Sequence, residues 1–491
     1  MANMKTLIRI VFIIFIAKGI DCLGSNNYCS FPEYENITAE SLVNYDWYNA
    51  KEDLILKIFE KNNNDVFTSK GNEDKILFKL DENVKLKITN QDETEDKLKL
   101  KDKKYALFEI KTQEEENAVY LYCSDIESSK KKKGIFERKN HISISVIACD
   151  TDNVTDMKYM FCDCRSLTKL NLTKFNTTKV TDMGLMFYFC SSLEKLEFGE
   201  NFNTSNVTDM EFMFYWCSSL EYLDIENFNT SNVTDMKYMF CNCNSLKYLN
   251  LEKFNTEKVT DMSFLFHKCN SLTELDLTSF NTTKVTNMNS MFYECSSLEK
   301  INFGKKFNTK NVTDMGYMFC GCNRLLDLDL ENFNTENVTN MKKMFYNCSR
   351  LLYLDLKNFN TENVTEMAKM FSFCNNLIKL KFGKNFNTEK ITNMNGMFYG
   401  CSCLEKLFLK NFNTSNVTNM EEMFSYCRSL IKLDIRNFNT SNVTDMGYMF
   451  YWCSSLEKLE IGENFNTSIV LHKENMFDHC DKLSEDIKNN I

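Results

Sequence analysis

The sequence predicts an α/β solenoid in which short strands from stacked repeats form a parallel sheet on one face. From Val154 onward a unit of 26 or 27 residues recurs thirteen times, and each unit opens with Val or Ile. Counting that opening residue as position 0, Met follows at +3 and +6, Phe at +7, Cys at +10, apolar residues at +13, +16 and +18, and Phe near +21. A single unit of this size cannot bury its apolar face, so neighbouring units must stack on a continuous core.

The spacing within a unit predicts its local structure. Positions +3, +6, +7 and +10 follow the i, i+3, i+4, i+7 rule, which predicts a short helix, for example over residues 157–164. Positions +13, +16 and +18 match the LxxLxL strand pattern of a leucine-rich repeat, as in Leu246, Leu249 and Leu251. The Phe-Asn-Thr segment then turns the chain back with short polar side chains.

Unit length predicts the behaviour of the corners. The extra residue of a 27-residue unit is a glycine, and a turn with positive φ is a conformation that glycine adopts at little cost. These glycines are Gly199, Gly304, Gly383 and Gly462. At a strand spacing of about 4.8 Å, thirteen units predict a parallel sheet about 60 Å long.

The chain divides into four predicted segments. Residues 1–24 read as a secretory signal peptide, because Lys5 and Arg9 precede an apolar run that is too short to span a bilayer. Residues 25–140 are predicted to form a small α+β domain or cap, with a helix over 39–61 and strands in KILFKL, KLKIT, YALFEI and AVYLY. Residues 141–483 form the solenoid and residues 484–491 a polar tail.

The solenoid is predicted to start before its first complete unit. Residues 142–153 supply the strand half of an additional unit, with Ile144, Val146 and Cys149 at +16, +18 and +21. The N-terminal region would dock there.

Composition and motifs argue against several functional classes. The formal charge of −10 offers no broad basic surface for nucleic acid. No second long apolar segment follows the N-terminus, so we expect no transmembrane helix in the mature chain. The four histidines have no recurrent Ser, Cys or Asp partner, and the sequence contains no phosphate-binding glycine loop. We therefore expect neither an enzyme nor a bound cofactor.

The cysteine pattern allows two interpretations. Thirteen cysteines at +10 would lie one strand spacing apart, within the Cα range of a disulfide, but side chains in register point the same way. Buried thiols acting as small apolar side chains are therefore favoured over disulfides. On a helix, Cys241 and Cys243 would point in different directions, so we expect no metal site there.

The repeats resemble a known family. The segments SNVTDMKYMFCNCNSLKYLNL and TSNVTDMGYMFYWCSSLEKLEI are similar to the BspA-like leucine-rich repeats, the 26-residue repeat of bacterial and protist surface proteins. The resemblance covers residues 142–483 and implies a right-handed leucine-rich-repeat solenoid displayed outside the cell. It also implies adhesion to host cells, extracellular matrix proteins or other microbes. Residues 26–140 do not match this family.

The exposed strand face is the leading candidate for a binding surface. Position +15 is mostly Lys or Tyr and position +17 mostly acidic or Asn, and both point away from the leucines because side chains alternate along a strand. A soluble sheet without a ligand would show similar charged columns, so both interpretations stay open. The candidate residues are Tyr222, Asp224, Tyr248, Asn250, Asp276, Asp329, Tyr353, Asp355, Phe408 and Asp434.

Aromatic residues at +8 and +9 are a second set of candidates. Exposed Tyr and Trp side chains are common binding anchors. The candidate anchors are Tyr215, Trp216, Tyr451 and Trp452.

Asn-x-Ser/Thr triplets are candidate glycosylation sites if a eukaryote secretes the chain. Alternatively, Asn and Thr are corner residues and the triplet is a by-product. The corner interpretation is favoured, because units with Lys before the valine, such as Lys258, keep the turn without the triplet. The candidate sites are Asn36, Asn206, Asn232, Asn311, Asn416 and Asn442.

Three functional hypotheses result. The leading one is a secreted or cell-surface protein that mediates adhesion or binds a protein or glycan, on host matrix or another cell surface, along its strand face. The first alternative is a structural surface coat without a specific ligand. A weaker alternative places an enzyme activity in residues 25–140.

Overall fold

The computed structural model describes residues 55–60, 63–69, 84–89, 105–112, 118–123, 141–149, 154–489 and 491. These residues form fifteen strands and one short helix. The predicted signal peptide, residues 1–24, lies outside the described residues.

Two groups of strands precede the solenoid. β1 (Ile55–Glu60) pairs antiparallel with β2 (Asn63–Ser69) and β3 (Val84–Thr89). β4 (Tyr105–Thr112) pairs antiparallel with β5 (Ala118–Cys123) and β6 (His141–Cys149). The strands predicted in KLKIT, YALFEI and AVYLY are thus present.

The helix predicted over 39–61 is wrong at its C-terminal end. Residues 55–60 form β1 instead, because the segment ILKIFE is rich in branched and aromatic side chains that suit a pleated sheet. Residues 39–54 and the segment KILFKL lie outside the described residues.

The N-terminal strands join the solenoid through β6. Ser143 to Ser145 pair in parallel with β7 (Lys169–Leu172), and Ile144 lies opposite Leu170. Ile144 therefore takes the +16 register that was predicted for the additional half unit. β8 (Lys195–Phe198) completes a five-stranded sheet in the order β5-β4-β6-β7-β8.

The remaining strands are short and parallel, one per unit. They are β9 (Glu274–Leu277), β10 (Lys300–Phe303), β11 (Tyr353–Leu356), β12 (Lys379–Phe382), β13 (Lys406–Leu407), β14 (Lys432–Ile435) and β15 (Lys458–Ile461). β9 pairs with β10, β11 with β12, and β14 with both β13 and β15, whereas Tyr222 and Tyr248 share a single bridge. The parallel sheet predicted on one face of the solenoid is therefore present, and its hydrogen-bond ladder is interrupted several times.

Three of the interruptions follow a 27-residue unit. β8, β10 and β12 each run directly into one of the glycines predicted to have positive φ, namely Gly199, Gly304 and Gly383. None of the three has positive φ, so that prediction is wrong. An added Cβ at Gly383 would instead lie 2.0 Å from the carbonyl oxygen of Lys357. The glycine is needed because two backbones of neighbouring coils approach closely there.

The short helix predicted at +3 to +10 is also wrong. The segment is a series of reverse turns, in which the Met160 N–H donates to the Met157 carbonyl oxygen at 3.2 Å and the Cys162 N–H to that of Tyr159 at 3.1 Å. Every residue with positive φ from Val154 onward lies at +5 or +9, and the non-glycine ones have φ of 51–62°. The i, i+3, i+4, i+7 spacing suits these turns as well as a helix, so the sequence could not separate the two.

Hydrogen bonds between coils explain why turns replace the helix. The N–H groups of Phe161 and Asp163 donate to the next coil, to the carbonyl oxygens of Met186 at 2.9 Å and Tyr188 at 2.6 Å. A helix that starts at Met157 would use these two donors within its own coil and leave the neighbouring coil without them. The inter-coil bonds offset the cost of left-handed backbone, about 1–2 kcal/mol per residue.

The core is built from columns of identical side chains. The +7 rings from Phe161 to Phe477 form one continuous stack with centroids 5.3–5.8 Å apart. Met, Leu and Val columns pack around it, and most of their members are fully buried. Each added unit therefore buries the exposed rings of the previous one.

The Phe-Asn-Thr corner is held by a buried hydroxyl. In the unit of Thr204, the Oγ1 atom donates to the carbonyl oxygen of Asn229 at 3.0 Å and accepts the Asn229 N–H at 2.7 Å. The Oδ1 atom of Asn229 accepts the Ser231 N–H at 3.0 Å. This pattern recurs along the corner and satisfies the buried threonine in each coil.

The +10 cysteines are buried free thiols. Each one from Cys190 to Cys480 donates from Sγ to the carbonyl oxygen of the +7 phenylalanine in the preceding coil, as Cys190 does to Phe161 at 3.1 Å. Cys241 is also buried, and the Asn242 amide lies 3.2 Å from its Sγ atom. The thiols therefore act as hydrogen-bond donors as well as small apolar side chains.

A short helix closes the C-terminal end. Residues 484–491, predicted as a polar tail, contain α1 (Glu485–Asn489), which stands where the strand of the last unit would lie. Ile487 and Ile491 pack partly buried against the core. Glu485 and Asp486 in the first turn favour the helix N-terminus.

Candidate ligand-binding strand face

Four large apolar side chains project from the strand face. Tyr222, Tyr248 and Tyr353 are 64%, 55% and 54% exposed, and Phe408 is 73% exposed. In the ordered strands the neighbouring +16 residues are buried, as Leu354 and Leu407 show, because alternate side chains point to opposite sides. The structure therefore places these four predicted residues on one outward face.

The two N-terminal tyrosines lie on adjacent coils. Tyr222 and Tyr248 form a parallel bridge. The Nζ atom of Lys247 lies 5.9 Å from the Tyr222 ring centroid and 2.7 Å from a carboxylate oxygen of Glu221. The two tyrosines thus present two exposed rings, and the Lys247 ammonium beside them is already paired with Glu221.

The Asp and Asn candidates at +17 have a local role that sequence reasoning missed. Each of them accepts the N–H of the residue two positions later through Oδ1, for example Asp329 from Glu331 at 3.0 Å. This bond ends the strand and begins the corner, as short polar side chains do in Asx turns. The same role is taken by Asp224, Asn250, Asp276, Asp355 and Asp434 at 2.9–3.3 Å. One oxygen of each carboxylate is thus structural, and in Asn250 the single amide oxygen has this role while Nδ2 donates to Glu226 at 2.9 Å.

The charge of two +17 carboxylates is stabilised by neighbours. The Arg436 guanidinium bonds to Asp434 at 2.6 and 2.9 Å and lowers the pKa of that carboxyl to about 2. Burial opposes ionisation of Asp355, but the Lys357 N–H and the Lys381 ammonium at 3.2 Å lower its pKa overall.

A groove lies where the sheet is interrupted between β10 and β11. Residues 327–330 belong to no strand, and Leu328, at the usually buried +16 position, is only half-buried. The groove has a volume of about 510 Å³, which is within the range of ligand-binding clefts. We call this cleft the strand-face groove. Its polar lining includes Lys300, Asp327, Asp329, Tyr353, Asp355, Lys379 and Lys381.

An aliphatic column beside the groove was missed by sequence reasoning. The column consists of the +14 residues of three successive coils, Leu326, Leu352 and Ile378. The Leu352 N–H donates to the Leu326 carbonyl oxygen at 3.1 Å, and the Ile378 N–H donates to the Leu352 carbonyl oxygen at 2.9 Å. Leu326 and Ile378 are 42% and 48% exposed. Position +14 does not repeat one residue type, and the change from polar residues to Leu and Ile in these units was the sequence signal for this column.

The predicted aromatic anchors lie on the edge of the solenoid formed by the reverse turns at +3 to +10, which we call the turn edge, and they pack against aromatic residues of neighbouring coils. Tyr215 stacks on Tyr188 with ring centroids 5.0 Å apart, and Trp216 on Phe189 at 5.1 Å. Trp452 stacks on His479 at 4.3 Å, and Tyr451 meets Tyr426 edge to face at 5.5 Å. Their ring faces are largely covered, so these residues stabilise the turn columns and present mainly ring edges.

The predicted glycosylation residues from Asn206 onward are built into the corner. Each amide nitrogen donates to a carbonyl oxygen of the preceding coil, for example Asn206 to Thr178 at 2.6 Å and Asn232 to Ser205 at 2.7 Å. Asn311, Asn416 and Asn442 make the equivalent bonds at 2.7–2.8 Å. The corner interpretation is thereby supported for these five. Asn36 lies outside the described residues.

The part of the chain that the structure describes contains no cluster typical of a metal site. Within it, no group of three or more His, Cys, Asp or Glu side chains is arranged to hold a metal. No helix among the described residues is long and apolar enough to span a membrane.

The repeat region is similar to known proteins. A crystal structure of a leucine-rich repeat protein from Bacteroides ovatus is similar over 70% of this chain and 90% of that one, with 18% identity and a TM-score of 0.41. No curated protein matches the chain significantly. The model of the family described as "Mycoplasma protein of unknown function, DUF285" matches residues 121–222, 213–303, 273–383 and 378–490. These matches cover the repeats that resemble BspA-like leucine-rich repeats and confirm that resemblance. The chain therefore belongs to the DUF285 family of repeat proteins.

Proposed function

We propose that this protein binds a macromolecule, a protein or a glycan, along the strand face of its solenoid. The observation that carries the proposal is the exposure of Tyr222, Tyr248, Tyr353 and Phe408 on a face that is otherwise charged. Exposed apolar area costs about 25 cal/mol per Å², so a partner that covers these rings gains affinity. Tyr side chains are also preferred binding anchors, because they lose little conformational freedom on binding.

The proposal places the protein outside the cell, as an adhesion protein without catalytic activity. The N-terminal segment 1–24 has the charge and apolar pattern of a secretory signal peptide. The resemblance to BspA-like repeats supports surface display and attachment to host matrix or another cell. The long parallel stack of coils supports multipoint attachment, since equivalent positions recur along one face.

Attachment of the purified chain to immobilised matrix proteins, cell-surface extracts and glycan arrays tests the proposal. Replacing Tyr222, Tyr248 and Tyr353 together by Ala should reduce attachment at least tenfold while thermal unfolding stays unchanged, because each side chain projects into solvent. Replacing the turn-edge residues Tyr159 and Trp216 by Ala is the matched aromatic control.

Three outcomes discriminate the hypotheses. Equal attachment by the strand-face variant and the native chain would remove the strand face as the binding surface. Loss of attachment only in the turn-edge variant would move the site to that edge. Ordered assembly of the chain on its own, without attachment to any target, would favour a surface coat.

A further inference from the structure

We infer that the strand-face groove binds an extended segment of a protein partner that is cationic at one end, apolar in the middle and anionic at the other end. The inference rests on the proposed function and specifies the chemistry of the partner.

Opposite charges lie on the two coils of the groove that flank the coil of Tyr353. Asp327 and Asp329 stand on one of these coils, and Lys379 and Lys381 stand on the other, about 10 Å away at the usual strand spacing, while Lys300 lies one coil beyond Asp327. Within the residues that the structure describes, Asp327, Asp329 and Lys379 form no ion pair, and Lys381 pairs with Asp355. A partner with complementary charges at both ends would supply ion-pair partners for Asp327, Asp329 and Lys379.

The middle of the groove offers apolar surface. Tyr353 stands on the coil between the acidic and the basic pair, where the carboxylate of Asp355 is engaged by Lys381. The half-buried Leu328 lies in the floor, and the aliphatic column runs beside them. The solenoid does not require this column, because the earlier units have Thr, Glu or Lys at +14. An apolar side chain of a partner would cover it.

Backbone donors are also available in the groove. Among the described residues, the N–H groups of residues 327–329, which line the groove, donate to no backbone or side-chain acceptor, because this segment pairs with neither β10 nor β11. Peptide carbonyl groups are suitable acceptors for such donors.

Two other occupants fit less well. A neutral glycan offers no charged groups for the ends of the groove. A second copy could place Asp327 and Asp329 against Lys379 and Lys381 about a two-fold axis, but three coils supply roughly 200 Å² per partner, well below the roughly 800 Å² of a stable interface.

The spacing defines the probe. In an extended peptide, residues i, i+2 and i+4 share one face and span about 13 Å, so the pentapeptide Lys-Ser-Leu-Ser-Glu presents a cation, an apolar side chain and an anion together. Fluorescence anisotropy with the full chain compares this peptide, with both ends blocked, with Lys-Ser-Leu-Ser-Lys and Glu-Ser-Leu-Ser-Glu. The mixed peptide should bind about fivefold more tightly than either, and the difference should shrink at high salt.

Charge reversal should change the preference in a defined direction. Lys379→Glu with Lys381→Glu should make Lys-Ser-Leu-Ser-Lys the best ligand, and Asp327→Lys with Asp329→Lys should make Glu-Ser-Leu-Ser-Glu the best. The matched control, Lys169→Glu with Lys195→Glu in the same +15 column, should leave the order of the peptides unchanged. Thermal unfolding verifies that all variants are folded.

The same order of peptides in every variant, or no peptide binding, would overturn the inference. In either case the tyrosine-dependent attachment described above can persist, so the proposed function would stand. A dimer in sedimentation experiments that dissociates on either charge reversal would assign the groove to a second copy and also overturn the inference.

Discussion

The Sγ atom of Cys243 donates a hydrogen bond of 3.2 Å to the carbonyl oxygen of Phe214 in the preceding coil. That oxygen already accepts the Cys217 N–H within its own coil, at 3.1 Å. A carbonyl oxygen has two lone pairs, so the thiol satisfies the second in a fully buried position. Cysteine is suited to +10 because it is small and apolar and still has a donor.

Cys243→Ala should lower the free energy of unfolding by about 1–2 kcal/mol, because it removes a buried donor and leaves a small void. Urea unfolding followed by circular dichroism measures the change. Cys403→Ala is the control, since Cys403 is partly exposed, and it should change stability by about 0.5 kcal/mol or less. Equal effects at the two positions would contradict the role of the thiol column.

Thiol labelling should follow the same division. Burial raises the pKa of Cys295, Cys374 and Cys427 to about 12, so these thiols are protonated and inert at neutral pH. Within residues 154–489, a thiol reagent should label the partly exposed Cys162 and Cys403 in the native protein and the +10 column only after unfolding. Peptide mass spectrometry locates the labels, and rapid native labelling of Cys374 would argue against a buried column.

Replacement of Gly383 and of Gly447 by Ala should change the free energy of unfolding by very different amounts. Gly383→Ala brings Cβ to 2.0 Å from the Lys357 carbonyl oxygen, so it should cost about 3 kcal/mol or more and disturb the corner. Gly447→Ala meets only side-chain atoms, of Glu474 at 3.3 Å and Asp445 at 3.5 Å, and its φ is not positive, so the cost should stay within about 0.5 kcal/mol. Thermal and urea unfolding compare the two, and tolerance of Gly383→Ala would show that the coils can separate there.

Asn206 and Asn203 provide a matched pair at one corner. Asn206→Asp removes the amide donor to the Thr178 carbonyl oxygen and should cost about 1–2 kcal/mol. Asn203→Asp keeps the oxygen that accepts the Ser205 N–H at 2.8 Å and should be nearly neutral. Both changes remove an Asn-x-Ser/Thr triplet, so the triplet itself cannot explain a difference in unfolding midpoint. Equal midpoints would show that the Asn206 bond contributes nothing.

His267 should make stability depend on pH. Burial and the nearby Lys268 lower its pKa from 6.5 to about 4, and its Nδ1 atom has no hydrogen-bond partner among the described residues. Between these pH values the unfolded chain binds the proton and the native chain does not, so stability is complete above pH 6.5 and falls as the pH drops towards 4. Allowing for partial exposure, we expect a loss of about 1–2 kcal/mol.

His267→Tyr is the control for this pH dependence. Tyrosine occupies the same +8 position at Tyr215 and Tyr293, and the Tyr293 ring stacks on His267 with centroids 4.6 Å apart. Urea unfolding of both proteins at several pH values should give a smaller slope between pH 6.5 and 4 for the variant. Parallel slopes would show that His267 binds its proton over the same pH range in the native and the unfolded chain.

The sequence alone determined the period, the core columns and the register of the array. Positions +7, +10, +13 and +16 repeat because each buried side chain contacts its own equivalent in the next coil, so Phe161, Cys164 and Leu170 could be assigned inward from spacing. Alternation along the strand likewise placed Tyr222 and Phe408 outside.

Only the tertiary structure decided how the polar backbone is satisfied. A helix and a series of turns with left-handed residues share the same apolar spacing, and the choice depends on whether the N–H of Phe161 bonds within its coil or to Met186 in the next. The strand-face groove has the same origin, since residues 327–330 keep the repeat pattern and yet leave the ladder after Gly304. Those outcomes depend on contacts between residues about 26 positions apart, because inter-coil hydrogen bonds and backbone approach exist only once the coils are stacked.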